Sequence, residues 1–242
     1  MRWNHATVVL LGNQGYFAWF FMKKRRNEHT EILISVFPQL FRGTGITLQL
    51  FLLTLVGAIP LGVLFAFILS SRLKIIKAVV QLYIWLMRGT PLLLQLIFVF
   101  YGLPTIGIVF DRFEAAVIAF VLNYAAYFAE IFRGGIQSIP KGQYEAAQVL
   151  RLTPWQTIYK IILPQVGKIT LPSVGNEVIS LVKDTSLIYI LGLSDVMRIG
   201  KIAMEREATI LPLIGVGIIY LVMTGIFTIL LKQIEQRLDY YR

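Results

Sequence analysis

Long charge-free blocks alternate with short polar stretches along this chain. Thr44–Ser71 holds no Asp, Glu, Lys or Arg. About 20 apolar residues cross a bilayer, so this block predicts a first span. Pro60 and Gly62 lie within it and are expected to kink it, which neighbouring helices can accommodate. Gly89–Phe110 is also charge-free and follows an apolar run, Ala78–Met87, that stops at Arg88. One long kinked span and an interfacial helix followed by a span both fit. Phe113–Phe132, bracketed by Glu114 and Glu130, predicts a further span, and charge-free Ala208–Leu231 predicts the last. Residues 169–191 are long enough but contain Pro172, Glu177, Lys183 and Asp184. Charges at membrane depth face a bundle interior or a water-filled cavity, so this segment is read as the fourth of five spans.

Basic residues orient the spans. The connection after the first holds Arg72, Lys74 and Lys77. Residues 133–168 hold Arg133, Lys141, Arg151, Lys160 and Lys168 against Glu145, and the tail holds Lys232, Arg237 and Arg242 against Glu235 and Asp239. With five spans all three lie on one side, which is the cytoplasm by the positive-inside rule. The opposite connections, 104–112 and 192–207, are nearly balanced. Ala6–Met22, moderately apolar and followed by Lys23–Arg26, would reverse that parity as a sixth span, and it carries Asn13 and Gln14 near its centre. Residues 1–21 are therefore expected to be a mis-called start or a non-spanning tail. Peptides from 1–21 in a mass spectrum of the purified protein would refute the mis-called start. The basic cluster follows the apolar stretch, so no cleavable signal peptide is read. The division is a tail over 1–36 and one membrane domain over 37–242.

Composition agrees. The chain is 57% hydrophobic and 15% charged, where soluble domains carry about 25% charged residues, and mean hydropathy is +0.70. A net charge of +10 would suggest nucleic acid in a soluble protein; here loop-borne Lys and Arg account for it. Cys is absent, and both histidines, His5 and His29, lie in the tail. That excludes a disulfide framework and a thiolate site, and argues against zinc or haem.

The most informative stretch is Gly142–Pro164, a polar insert between apolar segments. Pro140 and Gly142 break what precedes it, and Tyr144–Leu150 is rich in helix formers. Thr153-Pro154-Trp155-Gln156 reads as a capping box, with Thr153 at the N-cap and Pro154 at the first helical position. The second helix is expected to stop at Pro164, because the residue before proline avoids helical geometry. Ala146, Ala147, Leu150, Trp155 and Ile158 are candidates to pack the two helices together. Glu145, near a helix start, suits the helix dipole.

Glu145-Ala146-Ala147, Arg151 and Ile161-Ile162-Leu163-Pro164, in this spacing, resemble the EAA loop of ABC importer permeases. That family usually has Gly where this chain has Arg151. Arg88-Gly89-Thr90-Pro91-Leu92-Leu93 resembles the RGTPLL signature of permeases for polar amino acid uptake. Ala129–Ile136 leading through Ser138-Ile139-Pro140 and Gly142-Gln143, and Lys183-Asp184-Thr185-Ser186-Leu187, resemble two further runs of the same family. The matches come in the family's order and cover most of 37–242.

The resemblance implies an all-α integral membrane protein of the ABC importer type I permease fold, in a bacterial inner membrane, with residues 138–164 as a cytoplasmic coupling loop. Its implied coupling residues are Gly142, Glu145, Ala146, Ala147, Arg151, Leu163 and Pro164. It further implies alternating-access import of polar amino acids without covalent chemistry. The implied partners are a separate ATPase subunit, a second permease chain and an extracytoplasmic solute-binding protein. No G-x-x-x-x-G-K-[ST] occurs in the chain, so ATP and Mg belong to a partner and this chain is expected to hold no cofactor, no metal and no catalytic residue.

Other readings stay open. The hook, being basic, could be a plain loop or a DNA-reading helix-turn-helix, but flanking spans argue against nucleic acid. Glu177, Ser180 and Asp184 share a helix face at i, i+3 and i+7. That face either lines a substrate pathway, where a carboxylate meets an ammonium group, or forms ion pairs with Lys183 or another helix. Arg88, and the pair Glu130 and Arg133, are read as structural, and Asn123 and Tyr124 as interhelical hydrogen-bonding groups. An ion-coupled secondary carrier, with the charged fourth span carrying the coupling, is the alternative function. The EAA loop discriminates, because such a carrier has no use for it.

Overall fold

A computed structural model describes the backbone of residues 5–238, with side chains from 31 to 237. The described chain is helical and holds no strand. In order come α1 His5–Ser70, α2 Lys74–Gly89, α3 Leu92–Ile97, α4 Arg112–Gln137, α5 Lys141–Val149, α6 Pro154–Thr157, α7 Leu163–Asp184, α8 Val196–Glu207 and α9 Leu211–Leu238. The expectation for residues 1–21 falls outside the described side chains. Position 37 lies inside α1, and Val36 is already buried.

Among the described residues, three stretches are long and apolar enough to cross a membrane alone: Glu31–Ser70, Arg112–Gln137 and Leu211–Arg237. α2 and the helical stretch Leu92–Ile106 are long and apolar enough only as a pair, and they meet at 106°. The break falls at Thr90, which is extended before Pro91, as the pyrrolidine ring requires of its neighbour. The fourth expected span, α7, has 22 residues, but its charges and prolines leave it outside the apolar class. Its packing against α4 and α9 places it in the bundle.

Helix α4 is the hub. Its buried face carries Ala115, Ala116, Ala119, Ala125, Ala126 and Ala129. Small side chains let helix backbones approach closely where lipid supplies no hydrophobic drive. Opposite stands α1, continuous through Pro38 and Pro60. At Gly62 the two helices meet closely: a Cβ there would stand 2.5 Å from Phe128 Cβ. Phe51, Phe120 and Phe128 fill the centre with Leu40, Leu181 and Ile188. The Tyr83 hydroxyl of α2 donates to the Leu122 carbonyl of α4. Outward faces are apolar, with Leu52, Val56, Leu221 and Ile229 exposed, as a lipid-facing surface should be.

Helix α8 fills the connection between α7 and α9 on the face opposite the hook. Its N-cap is Asp195, fully buried, which accepts from the backbone amides of Met197 at 3.0 Å and Arg198 at 3.1 Å. A Cβ on Gly43 of α1 would stand 2.8 Å from the Val196 nitrogen, so this cap is pressed against α1. Burial pushes the Asp195 carboxyl up to about 6, against the opposing pull of the amides and of Arg198. A raised acid favours its neutral form in the fold. Its contribution to stability is complete below pH 4 and is lost as pH rises through 6. Two pKa units correspond to about 3 kcal/mol. Asp195→Asn keeps the capping acceptor. Thermal melts of the detergent-purified protein should show the wild type gaining more stability from pH 7 to pH 5 than the variant does. Equal slopes would refute this.

Candidate functional site

The hook begins earlier than its sequence suggests. Pro140 is the extended residue before α5, and Gly142 sits inside the first turn of α5. Glu145 consequently falls in the second turn, beyond the reach of the N-terminal dipole invoked for it. Helix α5 closes on Arg151, whose φ is +55°. The Arg151 amide donates to the Gln148 carbonyl at 2.9 Å and the Leu152 amide to the Ala147 carbonyl at 3.0 Å. This paired closure needs a left-handed residue. A side chain there is disfavoured by about 1–2 kcal/mol relative to Gly, which gives the family's usual Gly a physical reason. Arg151→Gly is expected to stabilise the turn by about 1 kcal/mol, read as slower amide hydrogen exchange at Arg151 and Leu152. Faster exchange would refute it.

The capping box forms as expected. The Thr153 hydroxyl accepts from the Gln156 amide at 3.2 Å, and Gln156 Oε1 accepts from the Thr153 amide at 2.9 Å. The expected stop at Pro164 does not occur. Helix α6 passes through a π turn, Ile158–Ile162, directly into α7, and Pro164 lies in the first turn of α7. Across the π turn the Leu163 amide donates to the Ile158 carbonyl, so the ladder is already displaced by one residue where Pro164, which has no N–H to give, enters it. The hook and the charged span are thus one helical run.

Of the proposed coupling residues, Ala147 is buried, Leu163 is half-buried, and Gly142, Glu145, Ala146, Arg151 and Pro164 are exposed. The residues expected to pack the hook mostly do not. Leu150 and Trp155 are 69% and 73% exposed, and Val149 and Tyr159 join them at 82% and 66%. The hook is anchored lower down, where Ile139, Ile162 and Val166 pack with Tyr144. Val149, Leu150, Trp155 and Tyr159 therefore present apolar side chains outside the bundle.

A second group of polar residues lies within the spans. Glu177, Ser180 and Asp184 are half-buried on α7. The Tyr124 hydroxyl of α4 donates to Asp184 Oδ2 at 2.7 Å, an interhelical bond of the kind expected. The alternative ion pair with Lys183 does not form; Lys183 is exposed.

Arg88 folds onto α4 instead of reaching toward headgroups. Its guanidinium lies 5.2 Å over the Tyr127 ring and 3.7 Å from Glu130 Oε2. That is a charge contact too long for a hydrogen bond. Glu130 spends its hydrogen bonds on Arg133, at 3.0 and 2.6 Å, the expected i, i+3 pair. Sequence reasoning missed Gln95, Tyr127 and Asp195. The spacing of Asn123, Tyr127 and Glu130 at i, i+4 and i+7 was the available signal for Tyr127; Gln95 and Asp195 stand out only once the chain is folded.

Residues 58–240 match the model of a family described as binding-protein-dependent transport system inner membrane component. The chain is similar to a probable amino-acid ABC transporter permease protein of Bacillus subtilis, YckA, at 35% identity over 88% of this chain and 95% of that protein. It is similar to the arginine transport system permease protein ArtQ of Bacillus subtilis at 37% identity, over 85% and 94%. A crystal structure of an amino acid ABC transporter with histidines superposes with a TM-score of 0.78 at 36% identity, covering 84% of this chain and 96% of that one.

Proposed function

The chain belongs to the binding-protein-dependent transport system inner membrane components, a multi-pass permease subunit of the ABC importer type, and from that premise we propose the following division of labour. The chain moves polar amino acids by alternating access, while a partner ATPase subunit hydrolyses ATP with Mg. The single observation that carries this is the hook: Val149 and Leu150 at the end of α5, and Trp155 and Tyr159 on a helical run continuous with the charged span, stand exposed. Apolar side chains held out of the bilayer on the basic face are costly unless a protein covers them. A second permease chain completes the pathway, and an extracytoplasmic binding protein delivers the solute.

The charged groups within the spans suit a zwitterion. The side chain of Arg88 is 43% exposed and only loosely held by Glu130, so it can receive a carboxylate. Half-buried Glu177, with Ser180 and Asp184 on the same face, offers the negative side for an ammonium group. Guanidinium and carboxylate are worth more in such a site than in water, because the local dielectric is lower.

The test is uptake into proteoliposomes holding this chain, its ATPase and its binding protein, with arginine, glutamine, histidine and cystine as probes. Uptake that requires internal ATP supports the reading. Uptake indifferent to ATP and driven by an ion gradient overturns it.

A further inference from the structure

The corner between α2 and α3 is held by hydrogen bonds that the transport reading does not use. Asn123, 4% exposed in the middle of α4, donates from Nδ2 to the Met87 carbonyl at 3.0 Å and to Gln95 Oε1 at 3.1 Å. Gln95 Nε2 in turn faces the Met87 carbonyl at 2.9 Å, the Thr90 hydroxyl at 2.8 Å and the Thr90 carbonyl at 3.2 Å. The last carbonyls of a helix lack helical partners, and Met87 lies in the last turn of α2. Two neutral amides thus close the open end of α2 and tie it to both α3 and α4. Buried amides are costly unless paired in this way, so the arrangement is specific to this corner geometry.

Arg88 is the next residue after Met87. On α4, Tyr127 and Glu130 follow Asn123 by one and two turns on the same face and receive the Arg88 guanidinium at 5.2 and 3.7 Å. Those contacts are soft. The backbone that carries Arg88 is fixed by the amide pair.

We propose that Asn123 and Gln95 are positioning residues, a clasp that sets where Arg88 stands against Tyr127 and Glu130 and thereby how tightly the pathway holds a substrate carboxylate. The inference rests on the reading of Arg88 and Glu177 as pathway groups. Neither amide meets the substrate. Their loss leaves the charge of Arg88 in place and removes its address.

The test is equilibrium binding of L-arginine and L-glutamine to the purified permease–ATPase complex without binding protein. Asn123→Ala, Gln95→Ala and Arg88→Ala should each weaken binding about tenfold or more. On an Arg88→Ala background, Asn123→Ala should add less than about twofold, because groups acting through one another are not additive. Equal weakening on both backgrounds overturns the clasp, and so does unchanged binding in Asn123→Ala beside weakened binding in Arg88→Ala. Unchanged binding in Arg88→Ala instead overturns the pathway reading beneath it. A second measurement stands apart from binding. The chain has no Cys, so spin labels introduced at Val79→Cys and Leu94→Cys report the corner alone. Their distance distribution should broaden in Asn123→Ala and in Gln95→Ala; an unchanged width overturns the proposal.

Discussion

Trp155→Glu is expected to abolish ATP-driven uptake while the permease still inserts and extracts normally. Trp155 is 73% exposed at the start of α6, beside Leu150 at 69%. A tryptophan seated in a partner's groove is a typical anchor, and losing one costs about 2 kcal/mol or more of binding. A carboxylate in its place adds an unpaired charge at an apolar contact. Uptake should therefore fall by at least about tenfold, and the ATPase should no longer co-purify. The fold should not suffer, because an exposed substitution usually changes stability by about 0.5 kcal/mol or less. Glu145→Lys, which reverses an exposed charge on the same hook, should act in the same direction. Normal uptake in Trp155→Glu would mean that the apolar face is not where the ATPase binds.

Gly62→Val should prevent the bundle from assembling. Even a Cβ at position 62 would stand 2.5 Å from Phe128 Cβ and 3.1 Å from the Ala129 nitrogen. The second of these contacts is backbone and cannot rotate away, so α1 must withdraw from α4. Overpacking of this kind costs about 3 kcal/mol or more. The expected result is loss of the monodisperse peak on size-exclusion chromatography after extraction. Gly217→Ala is the control. A Cβ there meets nothing within 4 Å, and alanine is the better helix former by about 1 kcal/mol. Normal extraction of Gly62→Val would show that α1 and α4 are farther apart than described.

What could be read from residues alone follows from which forces act locally. Charge-free blocks marked α1, α4 and α9 because insertion into lipid depends on the composition of a single segment. The capping box at Thr153 was legible for the same reason, since all its partners lie within four residues. Pro164 misled because the local preference of proline was outweighed by continuation through a π turn. The contact at Gly62 was not legible: its partner, Phe128, is on another helix, and no local pattern announces it. The RGTP segment was visible as a run of letters, but its 106° corner depends on Asn123 and Gln95, amides that sequence spacing does not connect to it. Leu150 and Trp155 looked like packing residues for the hook; their exposure shows that the hook does not close upon itself.

The seam between α1 and α4 has a practical consequence for handling the protein. Among the described residues, no hydrogen bond or ion pair joins these two helices; alanines, glycines and phenylalanine rings make the contact. Dispersion between closely fitted surfaces carries no charge to screen and no proton to lose. Salt concentration and buffer pH should therefore leave this seam untouched. Its vulnerability lies in the solvent of the hydrocarbon layer, because short flexible detergent tails compete for the same shallow grooves that ordered lipid chains leave empty. Chain length of the surfactant, not ionic strength, is the variable to optimise first in purification.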